Sequence, residues 1–183
     1  MHTAYREAQF VHQYLHLYSI GGDATPTDCL YVSHQSGQDT PQCGSQTEPC
    51  QTLPQALVLV RDGGNICLDG RNSERHPYSC FFRKNVYIDK SVAIHGLFTK
   101  AHITCDPRYG NLMFRYPEYR LFKLTLSNLV FHNYGVDLIY VSFFNVSISS
   151  CRFINSSTVA VGIVQKESRI RTKSFIVVTD SEF

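Results

Sequence analysis

Chemistry on a polar substrate needs carboxylates, imidazoles or thiols brought to one place, so their spacing is tested first. From Leu121 onward the carboxylates are Asp137, Glu167, Asp180 and Glu182. Asp180 and Glu182 stand two apart in a strand-like run, which would put both on its outer face. Solvated polar positions are the commoner explanation for such a pair. Asp106 and Arg108 in "CDPRYG" read as a local ion pair in a Pro-containing turn. Of the eight histidines, His95 and His102 are the nearest pair in the strand-rich region. Their spacing suits no helical metal site. Neither a Gly-rich phosphate loop nor a Ser-His-Asp signature is present. No catalytic, cofactor-binding or metal-binding residue is assigned, and no cofactor is expected.

The seven cysteines are Cys29, Cys43, Cys50, Cys67, Cys80, Cys105 and Cys151. There is no C-x-x-C pair to favour zinc. Six of the seven precede residue 106, a density that fits an oxidising compartment. Cys43 and Cys50 flank a short polar loop and are the candidate disulfide. The odd number leaves at least one thiol free or paired outside the chain. Two sequons occur, at Asn145 and Asn155. Asn145 precedes an inward Val146, so it should face outward and is the candidate glycosylation site. Asn155 matches Asn133 at the end of a repeat, and the two are candidates for a stacked asparagine ladder. The polar segment from Gln165 to Lys173 offers Lys166, Arg169, Arg171 and Lys173 as surface-loop contacts.

Bulk properties narrow the partners. Net charge is +2 over 183 residues, without a long run of one sign. Nucleic acid is not expected, because neutralising phosphates needs clustered Lys and Arg. No stretch approaches the roughly 20 apolar residues that span a bilayer. Met1 to Ile20 is interrupted by Arg6, Glu7, His12, Gln13 and His16, so it lacks the continuous apolar core of a signal peptide. Phe10, Val11, Tyr14, Leu15 and Tyr18 instead follow one helical stripe. This conflicts with secretion, so either the protein stays inside the cell or its start lies upstream of Met1; the cysteines favour the second, and an extracellular or cell-surface protein is expected.

The elements that must position these residues are mostly short strands. Residues 1–28 are expected to form an N-terminal helix and linker. "CLYVS" from Cys29 reads as a strand, and a Gly- and Gln-rich loop follows. Thr52 caps a helix expected over Leu53 to Val60, with Pro54 in its first turn. Leu53, Ala56, Leu57 and Val60 form its apolar face, and Gly63-Gly64 ends it. "NICLDG" is the next strand, and "NVYID", "SVAIHG", "AHITCD" and "NLMFRY" continue the series.

A repeat then emerges. "LTLSNLVF" (from Leu124), "VSISSCRF" (from Val146) and "IVVTDSEF" (from Ile176) match position by position. The offsets are 22 and 30 residues, and Gln165 to Lys173 accounts for the extra eight. Strands too short to bury anything alone become stable when successive repeats stack. A β-sandwich would also space strands regularly. The residue-by-residue match, and the lack of Asn-Gly or Asp-Gly hairpin turns, favour stacking.

The stretch "YVSHQSGQDTPQCGSQTEPCQTLPQALVLVRDGGNICLDG" resembles the N-terminal cap of pectin-lyase-like right-handed parallel β-helices. The resemblance covers about Leu30 to Phe183. It implies an all-β, right-handed parallel β-helix (solenoid) with an N-terminal capping helix: a cap over residues 29–70 and coils over 71–183, cut short at the C-terminus. Members of this family cleave polysaccharides with clustered carboxylates, or with Ca²⁺-holding carboxylates and an Arg or Lys base. This chain carries neither set. The function expected is therefore a non-catalytic module of a larger extracellular or cell-surface protein, binding glycan or protein. The alternative is a fragment of a polysaccharide lyase or glycoside hydrolase. An uncapped C-terminal end would also self-associate.

Overall fold

The computed structural model describes residues 28–80, 90–104, 112–114, 122–132, 139–141, 144–154, 161–163 and 176–182. The N-terminal helix and linker expected over residues 1–28 fall outside the described residues except for Asp28. The described strands are β1 (Cys29–Val32), β2 (Gly64–Asp69), β3 (Tyr78–Ser79), β4 (Val92–Leu97), β5 (Ala101–Thr104), β6 (Leu112–Phe114), β7 (Phe122–Ser127), β8 (Leu129–His132), β9 (Ile139–Val141), β10 (Phe144–Ser149), β11 (Arg152–Ile154), β12 (Val161–Ile163) and β13 (Ile176–Thr179). One helix, α1 (Leu53–Leu59), lies between β1 and β2.

Among the described residues every strand pair is parallel. The largest sheet runs β1-β2-β4-β7-β10-β13, the second β11-β8-β5-β3, and the third β12-β9-β6. Val146 lies opposite Leu124 on one side and Ile176 on the other, which are the offsets of 22 and 30 residues. Inward residues form columns across the strands. One runs Leu30, Ile66, Ile94, Leu126, Ile148, Val178. Another, in the second sheet, runs Tyr78, Ile103, Phe131, Phe153. The inner faces of the first two sheets share one core. Apolar-in, polar-out alternation at period two suffices to build it.

The all-β, right-handed parallel β-helix expected above is corrected by this arrangement. The described residues form separate parallel sheets with a short helix, a mixed arrangement, and no closure of the sheets into a solenoid is found among them. Short apolar strands at a fixed offset demand parallel pairing and crossover returns. They do not by themselves demand that the returns close a continuous coil. The sequence pattern therefore reported the pairing and over-specified the architecture.

Helix α1 is seven residues long, too short to persist without tertiary contacts. Thr52 adopts an extended conformation and its Oγ1 accepts from the Gln55 N–H at 3.3 Å. The Asp39 carboxylate accepts from the Gln51 and Thr52 N–H groups and from the Thr52 hydroxyl, at 2.9, 3.0 and 2.8 Å. Leu53, Ala56 and Leu57 are buried against the core. The helix stops one residue before the expected end because Val60 is extended (ψ 135°), although its N–H still donates to the Ala56 carbonyl at 2.8 Å. Lys90 then donates to the freed Val60 carbonyl at 2.9 Å, a cation at the negative end of the helix.

Candidate functional site

The corner between the first and second sheets sets the position of the site. Asn128, Ser150 and Asp180 turn the chain there in the left-handed region, with φ of 56°, 52° and 47°. Asn128 leads straight from β7 into β8. The preceding corner is longer. Gly96 falls level with Asn128, yet β5 begins only at Ala101, so four residues are extra: Leu97 stays buried at the end of β4, and Phe98, Thr99 and Lys100 loop outward. Asn128 closes this loop at its base, its Nδ2 donating to the Gly96 and Thr99 carbonyls at 2.8 and 3.3 Å. Gly96 is required here, since a Cβ would sit 2.1 Å from the Asn128 carbonyl oxygen. The loop apex is Phe98, a 67% exposed aromatic at φ 65°. A bulky residue in that region stores strain.

The segment between β2 and β3 packs against this loop. A Cβ on Gly70 would meet the Thr99 carbonyl oxygen at 2.2 Å, so the two backbones touch. Ser73 pins the segment: its buried hydroxyl donates to the Gly70 carbonyl at 2.7 Å and accepts from the His102 N–H at 3.0 Å. Tyr78 anchors the far end, donating to the Val32 and Asp69 carbonyls at 3.1 and 2.9 Å. Burial raises its pKa well above the usual phenol value, so it stays a donor. The His34 ring stacks on Tyr78 with centroids 4.4 Å apart. Tyr78→Phe is expected to cost about 1–2 kcal/mol, because it strips two carbonyls of a donor. Urea denaturation checks this, and a loss below about 0.5 kcal/mol would contradict the anchoring role.

Between these two loops lies an open groove of about 510 Å³, lined by Arg71, Glu74, Arg75, Thr99, Lys100 and His102 among others. Arg71 is held in a fork on Asp69, Nε to Oδ1 at 3.0 Å and Nη2 to Oδ2 at 2.8 Å. That pairing raises its pKa further above neutrality. Its guanidinium lies 4.2 Å from the centre of the Phe98 ring. Lys100 reaches the Ser150 carbonyl with Nζ. Along the second sheet, His102 and His132 approach to 2.9 Å, Nδ1 to Nε2, with their rings stacked at 5.0 Å. Arg152 beyond them pairs with Glu182, Nε to Oε2 at 2.9 Å.

Burial lowers the pKa of His34, His95, His102 and His132. For His102 the neighbouring His132 lowers it further, while Glu74 opposes the shift on both. The folded values lie below the unfolded value of about 6.5, so the unfolded state takes up protons first as pH falls. The stability these neutral rings provide is complete above about pH 6.5 and is lost as pH drops towards the folded values. The urea midpoint is expected to fall between pH 7.5 and 5.5, and a midpoint that rises over that interval would contradict the burial of these rings.

The residues singled out in the sequence fall as follows. Cys43 and Cys50 are joined, with Cα atoms 4.9 Å apart. Cys29 and Cys67 form a second bridge, not foreseen, and Cys80 is also disulfide-bonded. Cys151 is a buried free thiol. Asn145 lies on β10 opposite Lys123, half-buried, and its Oδ1 is buried without a hydrogen-bond partner. Asn133, Asn155, Lys166, Arg169, Arg171 and Lys173 lie outside the described residues, as do Asp106, Arg108, Asp137 and Glu167. Asp180 and Glu182 do not share a strand face. Asp180 is in the left-handed corner after β13, and Glu182 bridges to Arg152. His95 and His102 are on different sheets. His95 bonds Ser127 at 2.6 Å, and His102 bonds His132. Among the described residues no group of three or more His, Cys, Asp or Glu side chains is placed to hold a metal ion, and no helix is long and apolar enough to cross a membrane.

The groove was not legible in the sequence. Its one signal was the extra length between "VAIHG" and "AHIT" compared with the uninterrupted "LTLSNLVF". No protein-family model, curated protein or solved structure matches the chain.

Proposed function

We propose that the chain is a non-catalytic recognition module of an extracellular or cell-surface protein, and that it takes a glycan in the groove between the Gly70–Pro77 segment and the Leu97–Lys100 loop. The observation that carries this reading is the open groove, about 510 Å³, with polar and charged walls, in which Arg71 lies over the exposed ring of Phe98. Hydroxyl-rich ligands are recognised by polar side chains in fixed positions beside an apolar platform. Arg71 is fixed by Asp69, Lys100 by Ser150, and the loop itself by Asn128. Hydrolysis of a glycosidic bond generally needs two carboxylates on opposite sides of it. Among the groove's lining residues Glu74 is the carboxylate, and Glu182 is committed to Arg152. Bridged cysteines fit an extracellular setting.

The test is binding of the oxidised chain to a panel of immobilised oligosaccharides, with the same sugars checked for cleavage. Arg75→Ala, which removes a guanidinium from the groove wall, is expected to weaken retention at least about tenfold, and unchanged retention would contradict binding in the groove. Asp180→Asn combined with Glu182→Gln should leave retention unchanged. Cleavage that disappears in that double variant would overturn the non-catalytic reading.

A further inference from the structure

We propose that His102 and His132 form a two-point binding site for a divalent transition-metal ion of the Ni(II) or Cu(II) type. The two rings project from adjacent parallel strands, β5 and β8, from positions two apart in register: His102 is opposite Val130, and His132 is opposite Thr104. Their facing nitrogens, Nδ1 of His102 and Nε2 of His132, are 2.9 Å apart. That distance is the length of the hydrogen bond between the rings, whose centroids lie 5.0 Å apart, so the facing lone pairs point largely at each other and must swing outward to converge on one ion. Imidazole nitrogens suit Ni(II) and Cu(II).

The charges around the pair are mixed, since Arg71, Arg75 and Lys100 line the same groove as Glu74 and His102. Glu74 lies close enough to exert its negative charge on both rings. Arg152, whose charge bears on His132, is already paired with Glu182. The strands holding the rings are laddered to each other over four residue pairs, which keeps the two histidines on neighbouring strands. His102 also borders the open groove, which leaves the remaining coordination positions to water or to a ligand in the groove.

Loading requires no net loss of protons. In the empty pair one ring donates its N–H to the lone pair of the other. On binding, that donor shifts its proton to its other ring nitrogen, so both facing nitrogens present lone pairs to the ion. His102 then carries its proton on Nε2 and His132 on Nδ1.

The experiment uses the full oxidised chain at pH 7.5, with the imidazole nitrogens followed by NMR during addition of Ni(II). Paramagnetic broadening is expected at His102 and His132 before any other histidine. By calorimetry, His102→Asn and His132→Asn, each checked for an unchanged circular dichroism spectrum, should each weaken Ni(II) binding at least about tenfold, since losing even an outer-shell partner costs about that much. Broadening that begins at other histidines, or folded single variants that bind Ni(II) as the parent does, would show that the pair is a hydrogen bond only. The NMR readout on the unaltered protein stands if a variant does not fold. Failure here leaves glycan binding by the groove untouched, because Arg75→Ala tests that separately.

Discussion

Truncating Phe131 to alanine is expected to destabilise the fold by about 3–5 kcal/mol. Phe131 is fully buried, and its ring stacks on Phe153 with centroids 5.1 Å apart and planes 11° apart. It is the third member of the column Tyr78, Ile103, Phe131, Phe153, so its removal leaves unfilled space on two sides. Collapse into that space is resisted because the backbone of β8 is hydrogen-bonded to β5 on one flank and β11 on the other. Loss of the aromatic pair adds about 0.5–1.5 kcal/mol to the burial term. A domain of ordinary stability has about 5–15 kcal/mol in total, so this variant should lie near the edge of folding at room temperature. Urea denaturation followed by circular dichroism measures the loss. A change under about 1 kcal/mol would mean that the core does not form as one column.

Removing the Cys29–Cys67 bridge is expected to have the second large effect, and to exceed that of removing Cys43–Cys50. The bridges close sequence separations of 38 and 7 residues. Loop-closure entropy assigns them about 4 and about 2 kcal/mol respectively. The longer bridge ties β1 to β2 around the whole of α1 and the Gly-rich loop, so its loss frees the edge strand and the helix together. The shorter one closes a loop that is already held by Gly44–Glu48 and Tyr31–Gly44 backbone bonds. Paired Cys29→Ser/Cys67→Ala and Cys43→Ser/Cys50→Ser variants, compared by urea midpoint, check the order. Equal losses, or a larger loss at the short bridge, would contradict it.

Much of the local structure could be read from residue type. Thr52, Pro54 and the spacing of Leu53, Ala56 and Leu57 mark helix α1 to within one residue. The repeat offsets give the strand register, because a period of two leaves each apolar set only one buried face. Overall architecture was not readable in the same way. Nothing in the alternation of Val146, Ile148 and their counterparts states how separate sheets are joined, and the expected solenoid is not what the described residues form.

The site was the least legible part. Asp180 and Glu182 looked like a strand pair because the two-residue spacing is local, whereas the corner that separates them depends on the backbone turning at Asp180. His102 and His132 lie thirty residues apart, and their meeting depends on strand register in the second sheet. The four-residue extension ending at Lys100 shifts that register relative to the first sheet. The same extension brings Thr99 and Lys100 into the groove wall, so one insertion accounts for both features.

Hydrogen–deuterium exchange on the oxidised chain, with and without the best-retained oligosaccharide, tests the recognition reading most directly. The account predicts added protection confined to the Gly70–Pro77 segment and the Leu97–Lys100 loop. Protection elsewhere, with these two loops unchanged, would contradict it.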